Sequence, residues 1–211
     1  MASVVFRDRV DGGRRLAETL GHLRDVDDLV VLGLPRGGVV VAAEVARELS
    51  APLDVLVVRK LGFPGHEELA LGAVASGGAI VLNDDVLAAA GLDEAELQRR
   101  AEGRQQAVIE MERRLRGDRP ALDLGGRTAV LVDDGLATGA TMRVAVVAAR
   151  RAGADRVVVA APVASPEAVR TLEGLADEVV CLAVPTNLRA VGMHYRDFST
   201  VEEDDVRRLL V

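Results

Sequence analysis

The sequence has few of the features that would mark a secreted, membrane or nucleic-acid-binding protein. One residue of 211 is a cysteine, Cys181, which excludes an internal disulfide, favours a reducing compartment and fits a small buried side chain. The longest apolar runs have the length of strands, which argues against a membrane span. Residues 1–10 carry two arginines and an aspartate instead of an apolar signal segment, so we expect a cytoplasmic protein.

Excess positive charge and aromatic rings are also lacking. The net charge of -7 and the pI of about 5.1 predict no DNA binding, because phosphate-backbone binding needs a concentrated positive surface. A local cluster of Arg and Lys can still hold a small anion. Tryptophan is absent, so the stacking of a flat ring would have to use Phe6, Phe63, Tyr195 or Phe198.

Short valine-rich runs alternate with segments of helical period along most of the chain. This alternation is typical of βαβ units around a parallel sheet, and the length suits one domain over residues 1–211, with a core at about 29–183. The predicted strands are Leu29–Gly33, Leu53–Arg59, Thr128–Val132, Arg156–Ala161 and Glu178–Ala183, and the predicted helices are Gly38–Leu49, Thr141–Ala152 and Pro166–Ala176.

Residues of about 61–120 depart from this alternation and are predicted to form an insert. Leu71–Asn83 contains two apolar runs about Ser76-Gly77-Gly78, which predict an antiparallel hairpin. Asp93–Arg116 is highly charged and predicts one long amphipathic helix. Its apolar stripe consists of Leu97, Ala101, Val108, Met111 and Leu115, with Arg104 in the same stripe.

The segment TAVLVDDGLATGATM, residues 128–142, combines a buried strand, two acids and a turn that opens a helix. Asp133 and Asp134 follow the strand at its carboxyl end, where open α/β sheets bind ligands. Free backbone N–H groups at the start of the helix can hold an anion, and the two acids can accept hydrogen bonds from sugar hydroxyls or bind a cation. The alternative is ordinary helix capping. The turn consists of Ala137, Thr138, Gly139, Ala140 and Thr141.

The string VLVDDGLATGATM, residues 130–142, closely resembles the 5-phosphoribosyl 1-diphosphate (PRPP) motif of type I phosphoribosyltransferases. The resemblance implies a Rossmann-like phosphoribosyltransferase fold with a hood from residues of about 1–25 and 184–211. It also implies Mg²⁺-dependent transfer of 5-phosphoribosyl from PRPP to a nitrogen nucleophile, such as a nucleobase, with release of pyrophosphate. A PRPP-sensing regulator of the same fold is the alternative, and homodimers are usual in the family.

Two further segments fit this resemblance. Arg36, Gly37 and Gly38 follow the first strand and open a helix, as the pyrophosphate loop of the family does; the alternative is a glycine-rich turn with a surface arginine. Arg59 and Lys60 resemble the basic pair near the pyrophosphate, although they also suit a solvated strand end. Because neighbouring strand residues face opposite ways, we expect Lys60 to point into the site.

The resemblance implies catalytic roles for Asp133, Asp134, Arg36 and Lys60, with Mg²⁺ held mainly by substrate oxygens and with the two aspartates as candidate protein ligands. The insert is the candidate lid. Its charged helix either reaches the diphosphate or forms a solvated face. The arginines in question are Arg99, Arg100, Arg104, Arg113 and Arg114.

The acceptor site is expected in the hood. Tyr195 or Phe198 can stack a base there, and His194 either contacts the base or has a structural role. Family members that act on 6-oxopurines usually carry an acid where this chain has Ala137, which disfavours hypoxanthine and guanine as acceptors.

Overall fold

The computed structural model describes residues 5–63, 66–82 and 94–210. Within them the strands are β1 (Leu29–Gly33), β2 (Leu53–Val55), β3 (Val58–Phe63), β4 (His66–Ala75), β5 (Ile80–Leu82), β6 (Thr128–Val132), β7 (Arg156–Val163) and β8 (Glu178–Ala183). The helices are α1 (Arg9–Thr19), α2 (Gly37–Leu49), α3 (Glu94–Arg116), α4 (Ala140–Arg151), α5 (Pro166–Glu173) and α6 (Glu203–Leu209), and short 3-10 turns lie at Leu20–Leu23, Ser76–Gly78 and Val191–His194.

The core is a parallel sheet in the order β2-β1-β6-β7-β8. Alternate residues of β6 and β7 face opposite sides, so Val130 and Val158 pack with α1 and α2, whereas Leu131 and Val159 pack with α4 and α5. Both faces are covered by helices, which is why continuous valine-rich runs form these strands. The predicted α/β fold with a parallel sheet is confirmed, and the predicted bounds of β1, β6 and β8 agree with the structure residue for residue.

The predicted strand Leu53–Arg59 is wrong as one element. The Leu56 amide still donates to the Gly33 carbonyl of β1, but the Val57 amide donates to the Ser76 hydroxyl of the hairpin turn. The chain therefore leaves the parallel sheet between Leu56 and Val57. β3 then belongs to a separate antiparallel sheet in the order β3-β4-β5. The predicted hairpin is confirmed as β4 and β5 about the turn Ser76–Gly78. Its predicted last residue, Asn83, lies outside the described residues.

The predicted amphipathic helix is confirmed as α3, which packs on β3 and β4. Its buried stripe consists of Ala101, Val108, Met111 and Leu115. The predicted first residue, Asp93, and the side chain of Leu97 lie outside the described part of the chain. Arg116, in the last turn, donates through Nε to Asp54 Oδ1 at 2.8 Å, and this buried ion pair attaches α3 to β2.

The two chain ends meet beside the parallel sheet. The Phe6 amide donates to the His194 carbonyl at 2.8 Å, and the Arg196 amide donates to the Phe6 carbonyl at 2.9 Å. α1 begins after Asp8, whose carboxylate caps the amide of Asp11. α6 packs on both α2 and α3. Of the helices described, none combines the length and the apolar character that a membrane crossing requires.

Candidate functional site

The register of the sheet brings the two predicted anion-binding loops together. β1 and β6 are adjacent parallel strands, and their last residues, Gly33 and Val132, are direct partners. The Leu34 amide then donates to the Val132 carbonyl at 2.9 Å, so the loop after β1 and the loop after β6 leave the same edge side by side. This edge is the carboxyl end of the strands, where ligands of such folds bind.

The glycines of the first loop lie directly against the acids of the second. A Cβ atom on Gly37 would lie 1.9 Å from Asp134 Oδ2, and one on Gly38 would lie 2.9 Å from Asp133 Oδ1. Each carboxylate therefore faces the backbone of one glycine, at a distance that leaves no room for a side chain. The predicted pyrophosphate loop and the predicted acidic pair form one continuous surface, although about 95 residues separate them in sequence.

Asp134 is held at its backbone and at its carboxylate. Its amide donates to Asp133 Oδ1 at 2.8 Å, and its carbonyl accepts from the Tyr195 hydroxyl at 2.6 Å. Its carboxylate accepts from Arg9 Nε at 2.7 Å, in an ion pair whose side chains are 12% and 16% exposed. Sequence reasoning missed Arg9, because nothing local to α1 indicates a partner 125 residues away.

The two acids have different electrostatic surroundings. Loss of hydrating water raises the pKa of Asp133 well above its usual value, and the neighbouring charge of Asp134 raises it further. The hydrogen bond from the Asp134 amide and the charge of Arg9 act in the opposite direction with smaller effect. Asp133 therefore retains a proton more readily than an exposed aspartate does, while Arg9 compensates the charge of Asp134.

The turn after the acids is the predicted anion-binding turn, and it leads directly into α4. Gly139 precedes α4 with φ of +72°, a left-handed conformation that favours glycine, and a Cβ atom there would lie 3.1 Å from Ala168 Cβ. Ala137, Thr138 and Ala140 are exposed, so this face of the turn is open to a ligand. The Ala140 amide, at the start of α4, donates to Thr138 Oγ1 at 3.4 Å. Because the first N–H groups of a helix have no partner within the helix, we expect the next ones to be the donors that this exposed face offers to an anion.

Arg59 and Lys60 point in opposite directions, as neighbouring residues of β3 must. Arg59 directs its Nη2 to Met111 Sδ of α3, at 2.6 Å, which takes this side chain away from the turn. Lys60 is exposed and lines a cavity of about 120 Å³ together with Thr141 and Arg143. The structure thus brings Lys60 close to the turn that is predicted to bind phosphate, with Arg143 as a second cation that sequence reasoning did not identify.

Arg36 lies at the start of α2, and the Pro35–Arg36 peptide bond is cis. Its guanidinium is partly exposed and forms a long ion pair with Glu202, 3.6 Å between Nη1 and Oε2. Within the insert, Arg114 pairs through Nε with Glu203 of α6 at 3.2 Å. The start of α6 therefore contacts both the predicted pyrophosphate loop and the predicted lid.

Three aromatic rings from the two chain ends, Phe6, Tyr195 and Phe198, pack together. Tyr195 is 6% exposed, with its ring centroid 5.4 Å from that of Phe6 and 5.1 Å from that of Phe198. Phe198 is exposed but carries the Arg9 guanidinium 3.8 Å from its ring centroid. His194 is buried. This geometry gives Tyr195 a part in the packing of the hood, and it leaves Phe198 as the more accessible of the two rings predicted to stack a base.

The acidic pair provides suitable but few ligands for a metal. Among the described residues, no group of three or more His, Cys, Asp or Glu side chains is arranged to hold an ion. Asp133 and Asp134 supply two carboxylates, and Mg²⁺ is commonly bound by one or two carboxylates together with water and substrate phosphates. The residues therefore fit an ion that binds together with a phosphorylated substrate.

The chain is similar to known proteins over nearly its whole length. The chain is 52% identical over 205 residues to a protein of Mycobacterium tuberculosis, from strains H37Rv and CDC 1551, that is provisionally named a phosphoribosyl transferase. The match covers 96% of this chain but 45% of that protein, so the chain spans less than half the length of these relatives.

A solved structure also resembles the whole chain. The crystal structure of TT1426 from Thermus thermophilus is 50% identical, covers 98% of this chain and 97% of its own, and has a TM-score of 0.86. The family model of the phosphoribosyl transferase domain matches residues 8–197, a range that contains both loops, the acidic pair and most of the hood. The chain therefore belongs to the phosphoribosyl transferase domain family.

Proposed function

We propose that this protein is a Mg²⁺-dependent transferase that moves the 5-phosphoribosyl group of PRPP to a nitrogen atom of an acceptor, such as a nucleobase, and releases pyrophosphate. The observation that carries the proposal is the direct contact between the loop after β1 and the acids after β6, with glycine at both contact points. One ligand that bears a phosphate, two hydroxyl groups and a diphosphate would use all of these parts together.

Each part of PRPP has a counterpart in this arrangement. The 5-phosphate suits the turn of residues 137–141, because its N–H groups and hydroxyls are donors and Lys60 lies beside it. The ribose hydroxyls suit Asp133 and Asp134, which accept hydrogen bonds. The diphosphate suits the backbone of Gly37 and Gly38.

Catalysis in this proposal is mainly electrostatic. The departure of pyrophosphate leaves positive charge on the ribose, as in glycoside chemistry, and adds negative charge to the leaving group. Arg36 and the amides of Gly37 and Gly38 would stabilise the leaving diphosphate, and one such donor is worth about 2.7 to 4 kcal/mol in comparable sites. The ion pair between Arg36 and Glu202 would have to exchange for contacts to the ligand.

Mg²⁺ would neutralise part of the diphosphate charge and would be held by substrate oxygens and by the carboxylates of Asp133 and Asp134. The acceptor would bind under the hood, where the exposed residues Met193 and Phe198 offer apolar surface. A reducing cytoplasmic location remains part of the proposal, because the one cysteine of the chain is partly buried and forms no disulfide.

The test is incubation with PRPP, Mg²⁺ and a panel of nucleobases, with pyrophosphate release as the readout. Release that depends on one base supports a transferase, whereas PRPP binding without release would indicate a sensor. Asp134→Asn should reduce the free energy of PRPP binding, measured by calorimetry, far more than it reduces the free energy of unfolding. Asp118→Asn, at an exposed acid beyond α3, is the matched control. Equal PRPP affinity in Asp134→Asn and the wild type would contradict the assignment of that carboxylate.

A further inference from the structure

Arg9 joins three parts of the molecule at the edge of the candidate site. Its Nε donates to Asp134 Oδ2 at 2.7 Å, and its Nη1 donates to the carbonyl of Ser199 at 2.8 Å. Its guanidinium also lies over the ring of Phe198, with 3.8 Å between Cζ and the ring centroid. One side chain from α1 thus connects the loop after β6 with the C-terminal segment.

These contacts constrain where the Asp134 carboxylate points. Arg9 binds Oδ2, and the backbone of Gly37 lies against the same oxygen, so Oδ2 is held between them and the turning of the carboxylate is limited. The second oxygen, Oδ1, lies outside the contact with Arg9. The backbone of Asp134 is fixed independently by Asp133 and Tyr195. The Arg9 side chain itself is fixed by Ser199 and is largely removed from water. A guanidinium held in this way is preorganised, and its contact with the acid requires no reordering when a ligand arrives.

The loop after β1 leaves space for this ion pair. A Cβ on Gly37 would lie 2.7 Å from Arg9 Nε as well as 1.9 Å from Asp134 Oδ2. Glycine at this position therefore admits Arg9 and Asp134 together, and the ion pair belongs to the same surface as the two anion-binding loops. A buried ion pair is by itself weak evidence for stability, so its position in the site is the more informative property.

We propose that Arg9 is a positioning residue for PRPP binding, which acts by holding Asp134 in the orientation that receives the ribose and by tying that orientation to the C-terminal segment around Ser199. This inference rests on the proposed function. Arg9 also reduces the repulsion between the acidic pair and the phosphates of the ligand, because it balances the charge of one carboxylate. The loss of Arg9 should therefore weaken PRPP binding through Asp134 and not independently of it.

A double-mutant cycle measured with Mg²⁺-loaded PRPP by calorimetry tests this coupling. Arg9→Met in the wild-type background should raise the dissociation constant of PRPP about tenfold or more, the size of one charged hydrogen bond. In the Asp134→Asn background the same substitution should change the constant by less than about twofold, because the partner carboxylate is already absent. Arg9→Lys should recover part of the affinity, since it keeps a charge near Asp134 but cannot also reach Ser199.

Arg7→Met is the matched control on the same turn. Arg7 is exposed and pairs with Asp11, which also pairs with Arg15, so its loss should leave PRPP affinity unchanged. Equal effects of Arg9→Met in both backgrounds, or no effect in either, would overturn the positioning role. If Arg9→Met does not fold, the cycle is run with Arg9→Lys, and the same comparison decides. Failure of the wild type to bind PRPP would instead contradict the proposed function, so the two failures are distinguishable.

Discussion

Substitution of Gly37 by alanine adds one methyl group at the centre of the candidate site. The new Cβ would lie 1.9 Å from Asp134 Oδ2 and 2.7 Å from Arg9 Nε, whereas ordinary contact begins at about 3.4 Å. The carboxylate oxygen must therefore move by roughly 1.5 Å to avoid the methyl group. Gly37 does not have a positive φ, so the backbone itself accepts alanine at the first position of α2.

The expected loss of PRPP affinity follows from the contact that is displaced. A hydrogen bond to a charged group contributes about 1.5 to 3 kcal/mol, which corresponds to roughly 10- to 150-fold in the dissociation constant. The effect on folding should be smaller in comparison. Crowding costs typically about 1 to 3 kcal/mol, and we expect a value in the lower part of this range. The displaced groups are the side chains of Asp134 and Arg9, which are partly exposed and can move, whereas a backbone atom cannot.

The assay pairs calorimetry of PRPP binding with urea unfolding for three alanine variants. Gly37→Ala should lose affinity and keep most of its stability. Gly38→Ala should lose stability by about 1 to 3 kcal/mol or more, because its Cβ would lie 2.7 Å from the Val132 carbonyl oxygen, a backbone atom that cannot rotate away. Gly103→Ala, in α3 with no atom within 4 Å of its Cβ, should keep the wild-type affinity. Wild-type affinity in Gly37→Ala would refute the reasoning.

Three further outcomes follow from buried groups. Arg116→Met should lower the free energy of unfolding by about 3 to 5 kcal/mol, because it leaves Asp54 charged and 4% exposed; a loss below about 1 kcal/mol in urea would contradict this. Burial, and then the charge of Asp134, raises the pKa of Tyr195, so the folded state keeps the phenolic proton that the unfolded chain releases above about pH 10. The free energy of unfolding should therefore fall as the pH rises above about 10. Tyrosinate absorbance near pH 10 in the folded protein would contradict the raised pKa. Burial also raises the pKa of the Cys181 thiol to about 11. Its alkylation by iodoacetamide at about pH 8 should therefore be much slower in the folded protein than in the unfolded chain, and similar rates in the two states would contradict this pKa shift.

The parallel sheet could be predicted because its strands are buried on both faces. A strand of this kind is a continuous apolar run, and glycine or aspartate follows it where the chain turns. β1, β6 and β8 meet this condition and were predicted to the residue. The strand predicted from Leu53 to Arg59 was wrong, because its apolar run continues across a change of sheet. The break depends on the Ser76 hydroxyl, which lies 19 residues further along the chain.

Helix α1 was not predicted from the sequence, because it also depends on contacts with distant parts of the chain. Gly12 and Gly13 lie in its middle, and glycine disfavours an isolated helix by about 1 kcal/mol per residue. In the folded chain the same glycines allow close packing, since a Cβ on Gly13 would lie 2.9 Å from Glu44 Cβ and one on Gly12 would lie 3.2 Å from Pro162. Tertiary contacts with α2 and β7 therefore stabilise a helix that local propensity does not favour.

The sequence by itself determined β1, β6 and β8 of the core sheet to the residue, together with the chemical groups at the ends of β1 and β6. Apolar runs, acids, glycines and a turn are all local features of the sequence. It also placed Asp133, Asp134 and the loop of Arg36 at the ends of their strands. Only the tertiary structure decided which groups meet: the register of β1 on β6 sets Gly37 against Asp134, and the meeting of the chain ends brings Arg9 to the same carboxylate. Contacts between residues 125 apart depend on the whole path of the chain, which no local pattern contains.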